Sequence, residues 1–432
     1  MKKNKLTAMV VFCLLMTLVL LQLPNTADAA TVSSGTCGEN VTWTLDDAGT
    51  LTISGTGPMT DYFSASSVPW SANRDAVKKV VIENGVTTIG NQSFYTCYKL
   101  TSVTIPDSVT TIGKYAFSSC SKLTELTIGN GVKTIDKDAF QRCSRLTTVT
   151  IPNSVTTIGE GAFWACANLN DVTIGNRVKN INDFAFGYCT SLTELTLPNS
   201  VTSIGAHAFT FCEKLTSITI PSKVTKISDY AFTNCDRLAS VTLPNKLTSI
   251  GEYAFQRCYD LTEIVIPDSV TFIGEYAFEL TGLTAVTIPS GVSTISRGVF
   301  KGCEKMIAVM IPSSVRVIEK EAFFWCDKLT DVYFAGKEKA WNKISIDESN
   351  YNLLDARIHF GEKMPDEFFG DGKLTTGDAV YVLLHIMFGQ TDYPVPEDMH
   401  LDFNADGKID ADDAVYLLLH IMFGPEDYPL PI

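Results

Sequence analysis

The stretch VTIPDSVTTIGKYAFSSCSKLTE, residues 103–125, is followed at once by two close relatives of itself. LTIGNGVKTIDKDAFQRCSRLTT occupies residues 126–148, and VTIPNSVTTIGEGAFWACANLND occupies residues 149–171. The pattern begins near Val80 and runs to about Asp331, so about eleven copies can be aligned and a frayed twelfth follows. A repeat of this length is typical of a solenoid, because stacked coils bury a core that no single coil can bury.

Each copy is interpreted as one coil of that solenoid. LTxVTIP alternates apolar and polar residues and predicts a short strand. Proline or glycine then turns the chain, VxxIG supplies a second apolar pair, and AFxxC predicts a short helical or irregular turn. The predicted fold class is therefore an α/β solenoid of stacked 23-residue coils.

The cysteines of the repeats follow the same period. A regular series of this kind places each sulfur at the same point of its own coil, which favours buried, reduced thiols acting as small apolar side chains. Disulfides between neighbouring coils remain an alternative by distance, although they would distort the stack. The sequence has no CxxC and no Cys–His clustering, so it gives no indication of zinc. The series comprises Cys97, Cys120, Cys143, Cys166, Cys189, Cys212, Cys235, Cys258, Cys303 and Cys326.

The LxxLxI strand with a following AFxxC resembles the bacterial BspA-like leucine-rich repeats. That resemblance covers about 250 residues and implies a leucine-rich solenoid used for binding, in proteins that are commonly surface or secreted binders and adhesins. Residues 37–59 alternate in strand fashion around a turn at 46–49, and we expect them to cap the first coil. Residues 332–361 depart from the repeat and are expected to close the other end.

The first residues have the layout of a secretory signal peptide. Lys2, Lys3 and Lys5 precede an apolar run from about Met9 to Leu21. The small residues that follow predict cleavage after Ala29. No other run approaches the length of a membrane span. We therefore expect a secreted, extracellular protein without membrane insertion.

The net charge of −14 is concentrated in the last part of the chain. From Glu362 to the end there are 15 acidic residues and three lysines, a net charge of −12. Clustered carboxylates of this kind repel nucleic acid and favour hard cations. The charge pattern therefore excludes nucleic acid as an expected partner and points to Ca²⁺ as a cofactor of the tail.

Two groups of side chains on the coils are candidate ligand contacts. Threonine recurs at the middle outward position of the strand, either as a hydroxyl surface for an ordered ligand or simply because threonine suits an exposed strand. The flanking positions vary more, as expected where a solenoid encodes its ligand. A second group of aromatic residues either stacks on sugars or proteins, or packs between coils. Its members are Trp164, Tyr188, Phe211, Phe324 and Trp325.

The tail segment 402–413 has the spacing of a calcium-binding EF-hand loop. Its predicted ligands are carboxylate and amide oxygens at loop positions 1, 3 and 5, a backbone carbonyl at position 7, a water-holding residue at position 9 and a closing acid at position 12. Gly407 allows the sharp bend at position 6. The predicted ligands are Asp402, Asn404, Asp406, Lys408, Asp410 and Asp413.

An upstream near copy has a poorer loop. Aligned on Gly372, its predicted ligands are Glu367, Asp371, Lys373 and Asp378, while Phe369 stands at position 3 and cannot coordinate a cation. The helical segments after the two loops, DAVYVLLHIMFG and DAVYLLLHIMFG, differ at one position of twelve. We therefore expect a weaker or water-completed first site in front of an equivalent helix.

Two such loops, each followed by a helix, resemble a dockerin module. That resemblance implies calcium-dependent binding to a cohesin module of a scaffold protein, as in cellulosomes and polysaccharide catabolism, and hence attachment to a cell-surface multiprotein complex. Many dockerins carry hydroxyls at the loop pair and basic residues on the helix, whereas this chain has Thr-Gly and Ala-Asp, then Leu-Leu, which suggests an apolar interface and a different partner class. By position, the implied cohesin contacts are Thr376, Gly377, Leu383, Leu384 and Phe388, with Ala411, Asp412, Leu418, Leu419 and Phe423 in the second half.

The predicted domains are a signal peptide (1–29), a β-rich N-terminal cap (30–79), the repeat solenoid with its C-terminal cap (80–361) and the dockerin-like tail (362–432). The sequence offers few candidate catalytic residues, because His207 is the one histidine within the coils and no nucleophile–base pattern stands out. The favoured hypothesis is a non-catalytic binding protein whose repeats hold a protein or a polysaccharide. The alternatives are an adhesin recruited by the same tail, and a polysaccharide-active enzyme with an unrecognised site.

Overall fold

The computed structural model describes residues 30–361 and 411–423. Between residues 79 and 361 the chain winds through coils that have three sides. We name them the long-strand face, the short-strand face and the turn side. The predicted solenoid of 23-residue coils is confirmed, but it is built mostly from β-strands and turns.

The N-terminal cap is an antiparallel sheet of three strands, β1 (Thr31–Thr36), β2 (Val41–Asp46) and β3 (Thr50–Gly55). One side of β2 is buried, through Val41, Trp43 and Leu45. Strand β3 pairs in parallel with the first coil, so the cap extends the long-strand face and covers its first backbone edge. A 3-10 helix, Ser71–Ala76, then leads into the coils.

The long-strand face is formed by the LTxVTI segments. In the described chain its strands belong to four separate sheets. Within each sheet they pair in parallel, each residue opposite the equivalent residue of the next coil, with strands about 4.8 Å apart. The strands are β5 (Lys79–Ile82), β7 (Ser102–Ile105), β9 (Glu125–Ile128), β11 (Thr148–Ile151), β13 (Asp171–Ile174), β16 (Ser217–Thr219), β18 (Ser240–Thr242), β21 (Ala285–Thr287), β23 (Ala308–Ile311), β25 (Asp331–Phe334) and β27 (Arg357–Phe360).

The short-strand face is formed by the VxxIG segments, whose isoleucine points into the core. It also pairs in parallel from coil to coil. Its strands are β4 (Gly57–Pro58), β6 (Val86–Ile89), β8 (Thr111–Ile112), β10 (Thr134–Ile135), β12 (Thr157–Ile158), β14 (Asn180–Ile181), β15 (Ser203–Ile204), β17 (Lys226–Ile227), β19 (Ser249–Ile250), β20 (Phe272–Ile273), β22 (Thr294–Ile295), β24 (Val317–Ile318) and β26 (Ser345–Ile346).

The AFxxC segments, which make the turn side, were expected to form either a short helical or an irregular turn. The structure shows irregular turns and no helix at these segments in the described coils. Each segment contains two residues in the left-handed region four positions apart, such as Tyr115 (φ 56°) and Ser119 (φ 62°). That conformation costs roughly 1–2 kcal/mol per non-glycine residue. It lets Tyr115, Phe117 and Ser119 donate backbone N–H groups to carbonyls of the next coil at 2.7–2.9 Å, so the strain is offset by hydrogen bonds between coils.

The phenylalanines of these segments stack into a continuous column in the core. The column starts at Trp70 and passes from Phe94 to Phe323 with ring centroids 4.9–5.8 Å apart. All its phenylalanine side chains are fully buried. Because each ring contacts only the rings of the coils on either side, the column joins the coils in series.

The last coil is closed by a side chain that replaces the backbone of a missing neighbour. In a typical coil the phenylalanine N–H donates a hydrogen bond to an alanine carbonyl of the next coil, as from Phe300 to Ala322 at 2.9 Å. Phe323 has no such coil ahead of it, and it donates instead to Asn350 Oδ1 at 2.9 Å. The Asn350 amide donates to the carbonyls of Glu319 and Asp347, so one buried side chain ends the stack.

Residues 332–361, expected to close the solenoid, do so while extending it. Strands β26 and β27 continue the two faces. Helix α1 (Glu338–Trp341) lies between β25 and β26, and helix α2 (Tyr351–Leu354) lies between β26 and β27. Beyond them, a further helix, α3 (Ala411–Phe423), is described on its own.

Candidate functional site

The long-strand face presents the threonine row to solvent. Thr104, Thr127, Thr150, Thr173 and Thr196 are all exposed, while the residues on either side of each are directed into the core. Register holds equal residues opposite each other, as with Thr150 and Thr173. The result is a flat, regular surface on a rigid frame.

Toward the C-terminal coils the same row changes chemistry. Val265 is 85% exposed, and Met310 lies opposite Thr287. At the end Tyr333 stacks on His359 with centroids 4.4 Å apart. His359 Nε2 lies 2.8 Å from Asp331 Oδ1, and this hydrogen bond lowers the pKa of Asp331 below its ordinary value. The face therefore divides into a hydroxyl-rich part and a more apolar part.

A shallow groove of about 660 Å³ opens at the edge of the long-strand face, beside β11 and β13. Every side chain that lines it is polar, and the central ones are Asn168, Asn170, Asp171 and Ser191. Lys214 closes one end. We refer to this feature as the polar groove. Its volume falls in the range of about 300–1,000 Å³ that is common for ligand sites, but its lining lacks the apolar character of most of them.

The aromatic residues singled out in the sequence pack mainly against one another. Tyr188 stacks on Phe211 at 4.5 Å and meets the edge of Trp164 at 5.6 Å. The guanidinium of Arg142 lies 5.0 Å from the Trp164 ring centroid, and a Cβ on Gly187 would meet Trp164 Cδ1 at 3.2 Å. These contacts favour packing between coils for Trp164, Tyr188 and Phe211, whereas Trp325 is 52% exposed.

A second aromatic row on the turn side was missed by sequence reasoning. Each ring sits at the first left-handed position of its coil, and successive centroids are 4.5–5.0 Å apart. An aromatic ring recurring every 23 residues, first Phe, then His, then three Tyr, is the signal that would have revealed it. Burial lowers the pKa of the histidine in this row, against the opposing effect of two nearby aspartates. The row consists of Phe184, His207, Tyr230, Tyr253 and Tyr276.

The ten cysteines of the repeat series are buried and unpaired in the structure, as predicted, and so is Cys37 in the N-terminal cap. The thiols also have a role that the sequence did not suggest. In nine coils the thiol donates to the phenylalanine carbonyl of the preceding coil, for example Cys120 to Phe94, at 3.2–3.4 Å. Where Thr281 replaces the cysteine, its hydroxyl lies 3.2 Å from Cys303 Sγ.

The buried thiols should be unreactive in the folded protein even at alkaline pH. Thiolate is the reactive form, and burial raises the pKa of Cys97, Cys166 and Cys212 to about 12. A thiol reagent at pH 8 and at pH 9.5 should therefore modify the chain only after denaturant is added. Modification of native protein on the timescale of a free thiol would contradict this burial.

The raised pKa of the buried thiols also determines how folding stability changes with pH. Since the folded pKa of each thiol is raised, the stabilisation is complete below the ordinary thiol pKa of about 8.5. It is lost progressively as pH rises toward about 12 for Cys97, Cys166 and Cys212, because only the unfolded chain releases those protons.

Most of the predicted tail ligands and contacts lie outside the described residues. Those are Asp402, Asn404, Asp406, Lys408, Asp410, Glu367, Asp371, Lys373, Asp378, Thr376, Gly377, Leu383, Leu384 and Phe388, as does the cleavage site at Ala29. Of the rest, Asp413 is buried in the first turn of α3. Ala411 and Asp412 are exposed, Leu418 and Leu419 are half-buried, and Phe423 ends the helix.

The described ranges offer neither a metal-binding cluster nor a membrane-spanning helix. Residues 30–361 and 411–423 contain no group of three or more His, Cys, Asp or Glu side chains placed to hold a metal ion. No helix in those ranges has the length and apolar character needed to cross a membrane.

This geometry defines the chain as a leucine-rich repeat solenoid. The sequence profile of the BspA type leucine-rich repeat region matches residues 72–193, 179–307 and 248–358. The chain belongs to that BspA type family, as the resemblance of its repeats predicted. No curated protein matches the chain.

Several solved structures are similar. A leucine rich cell surface protein from Faecalibacterium prausnitzii is 30% identical, with 74% of this chain and 99% of that chain covered and a TM-score of 0.45. A leucine-rich repeat protein from Bacteroides ovatus is 24% identical, covering 75% and 78%, with a TM-score of 0.50. One from Eubacterium ventriosum is 25% identical, covering 78% and 97%, with a TM-score of 0.45.

Proposed function

We propose that this chain is an exported, non-catalytic binding protein. Its solenoid holds a protein or polysaccharide ligand, and its tail docks it onto a cohesin through calcium. The observation that carries the binding role is the long-strand face, where paired strands keep equivalent residues opposite each other while the exposed side chains change from coil to coil. A frame of that kind offers many contact points without a deep pocket or a moving part.

The outward residues next to the threonine row support a role in recognition. They vary between acids and small residues from coil to coil, as in Glu125, Thr148, Asp171 and Ser217, each exposed at the start of a strand. Substituting such a residue changes the surface without changing the core. Ligand specificity is therefore encoded separately from stability along this face.

The export and surface location rest on the first 29 residues, which have a basic, an apolar and a small-residue region in signal-peptide order. The 30% identical relative from F. prausnitzii is described as a cell surface protein. We propose the same compartment for this chain, with cleavage after Ala29 and attachment to a multiprotein complex.

The docking role rests on the loop spacing at 402–413 and on helix α3. Asp413 closes the loop pattern and is buried at the start of the helix, where a carboxylate is favoured by the helix dipole. Ala411 and Asp412 are exposed on the same turn, and Val415 is 52% exposed one turn later. This pattern suits a calcium-ordered helix that offers small and apolar contacts to a partner.

Docking should depend on calcium. Full-length chain retained by one member of a cohesin panel in Ca²⁺ should be released by chelator, because the loops lose their ordering ion. The variant Asp402→Ala should behave like the chelated protein, while Asp427→Ala, an acid of the same tail outside the loop pattern, should bind normally. Equal retention with and without chelator would refute calcium-dependent docking.

A further inference from the structure

We propose that the polar groove is a binding site for a neutral polysaccharide, engaged over two or three sugar units. This inference deepens the proposed binding function and rests on it. The groove is the volume bounded by Asn168, Asn170, Asp171, Ser191 and Lys214 at the edge of the long-strand face.

The groove lies where two adjacent coils lack a bulky side chain that most coils carry; Asp260 and Gly282 are likewise short at this position, in two later coils. The residue before the buried leucine or methionine that ends each AFxxC turn is lysine or arginine in seven of the eleven coils. In the groove this position holds Asn168 and Ser191. Shortening two neighbouring side chains opens a gap that ends at the next long one, Lys214. The seven basic residues are Lys99, Lys122, Arg145, Lys214, Arg237, Lys305 and Lys328.

The side chains that line the groove have no partners within the described residues. Thr101, Thr124 and Thr216 each donate a hydroxyl to the carbonyl 23 residues earlier, at 3.0–3.2 Å. Thr147 and Thr193, at the equivalent positions in the groove, make no such side-chain bond in the part of the chain that the structure describes. Their hydroxyls remain available to a ligand.

The amide and carboxylate groups behave in the same way. Asn168, Asn170 and Asp171 form neither a hydrogen bond through their side chains nor an ion pair within residues 30–361. By contrast, polar side chains in the turns that precede the short strands are engaged by neighbouring coils, for example Asp107 and Asn153, which accept from backbone N–H groups 23 residues on. The groove thus concentrates unused donors and acceptors on adjacent coils.

The chemistry of the lining selects among ligand classes. One carboxylate, Asp171, and one ammonium, Lys214, balance to zero formal charge, which gives no net attraction for the phosphates of a nucleic acid. The absence of apolar side chains from the lining leaves no anchor pocket for the aromatic or aliphatic residues that dominate protein interfaces. Hydroxyls, amides and a carboxylate are the groups that pair with sugar hydroxyls.

The repeat of the groove also suits a sugar chain. Neighbouring coils follow one another about every 4.8 Å, close to the rise of one unit in an extended β-linked polysaccharide. Equivalent hydrogen-bonding groups, such as Thr147, Asn170 and Thr193, therefore recur in step with the units of such a chain.

The test fills the groove with the side chain that other coils already carry. The variant Asn168→Lys/Ser191→Lys restores the common residue in two coils, so folding should be unaffected. Retention of full-length protein by insoluble β-linked polysaccharides, and its affinity for soluble oligosaccharides of two to six units, should fall at least about tenfold as ligand hydrogen bonds are lost. Unchanged affinity in this variant would overturn the proposal.

A matched control separates the effect of filling the polar groove from the effect of the added positive charge. Asp260→Lys places lysine in the same row three coils after Ser191 and makes the same change of charge, +2. It should retain the polysaccharide, and equal loss in both variants would overturn the proposal as a general charge effect. Asn170→Ala/Asp171→Ala removes lining groups without adding bulk and should weaken binding, whereas Thr216→Ala/Ser217→Ala, two coils on, should not.

The outcome also distinguishes this site from the wider function. If a protein ligand, and no polysaccharide, is retained and is lost in Asn168→Lys/Ser191→Lys, the ligand class assigned here is wrong while the binding function stands. If wild-type protein retains neither a polysaccharide nor a protein from matched panels, both proposals fail.

Discussion

Replacing Phe209 by alanine should lower the free energy of unfolding of the solenoid by about 3–5 kcal/mol, the usual cost of removing a buried phenylalanine side chain. Phe209 is fully buried and stacks between Phe186 at 5.8 Å and Phe232 at 5.4 Å. The resulting cavity lies in the middle of the column. Because coils contact only their neighbours, the change should also uncouple the coils before it from those after it and broaden the denaturant transition.

The matched control is Thr219→Ala, on the exposed row of the following strand. Surface substitutions of this kind usually change stability by less than about 0.5 kcal/mol. Equilibrium unfolding in guanidinium chloride, followed by circular dichroism, measures both variants. A loss below about 1 kcal/mol for Phe209→Ala would mean that the phenylalanine column does not join the coils.

Replacing Asn350 by alanine should unfold the C-terminal end of the solenoid before the rest. The side chain is fully buried and makes three hydrogen bonds at 2.9–3.0 Å, to Phe323 N, Glu319 O and Asp347 O. Leaving buried donors and acceptors unsatisfied costs about 1–3 kcal/mol for each group. The last coil has a neighbour on one side only, so this loss falls on the least supported part of the stack.

Hydrogen exchange by mass spectrometry measures the effect where it occurs. Peptides that contain Phe323 should exchange at least about tenfold faster in Asn350→Ala, whereas peptides from the central coils should be unchanged. Asn342→Ala makes the same chemical change at an exposed asparagine and should leave exchange as in wild type. Protection of Phe323 in both variants would show that Asn350 does not end the stack.

Much of the solenoid could be predicted because the 23-residue period of the repeat is visible in the sequence itself. The alternation in LTxVTI predicted the long strands, and the regular cysteines predicted one buried sulfur per coil; both are confirmed. The turn side was only partly predicted. Left-handed Tyr115, Ser119 and most of their equivalents are bulky or polar residues, and glycine, which usually marks this conformation, stands at only three of these positions, Gly161, Gly298 and Gly302. Their backbone is fixed by the next coil, which a local pattern does not contain.

The candidate sites also differ in whether the sequence alone could predict them. The exposed threonine row follows from strand alternation alone. The polar groove does not, because it arises from Asn168 and Ser191 being short in two adjacent coils, and only the stack places them side by side. Asn350 likewise looks like an ordinary loop asparagine until the missing coil beyond Phe323 is seen.

The central claim is that this protein binds through its solenoid without transforming what it binds. Full-length protein incubated with insoluble β-linked polysaccharide provides the most direct measurement, with bound protein and soluble reducing ends assayed in the same tubes. We predict saturable retention that Asn168→Lys/Ser191→Lys reduces, with reducing ends that stay at the level of the protein-free control. Release of reducing ends in proportion to protein, abolished by substitution of a single carboxylate, would contradict the account and establish an enzyme.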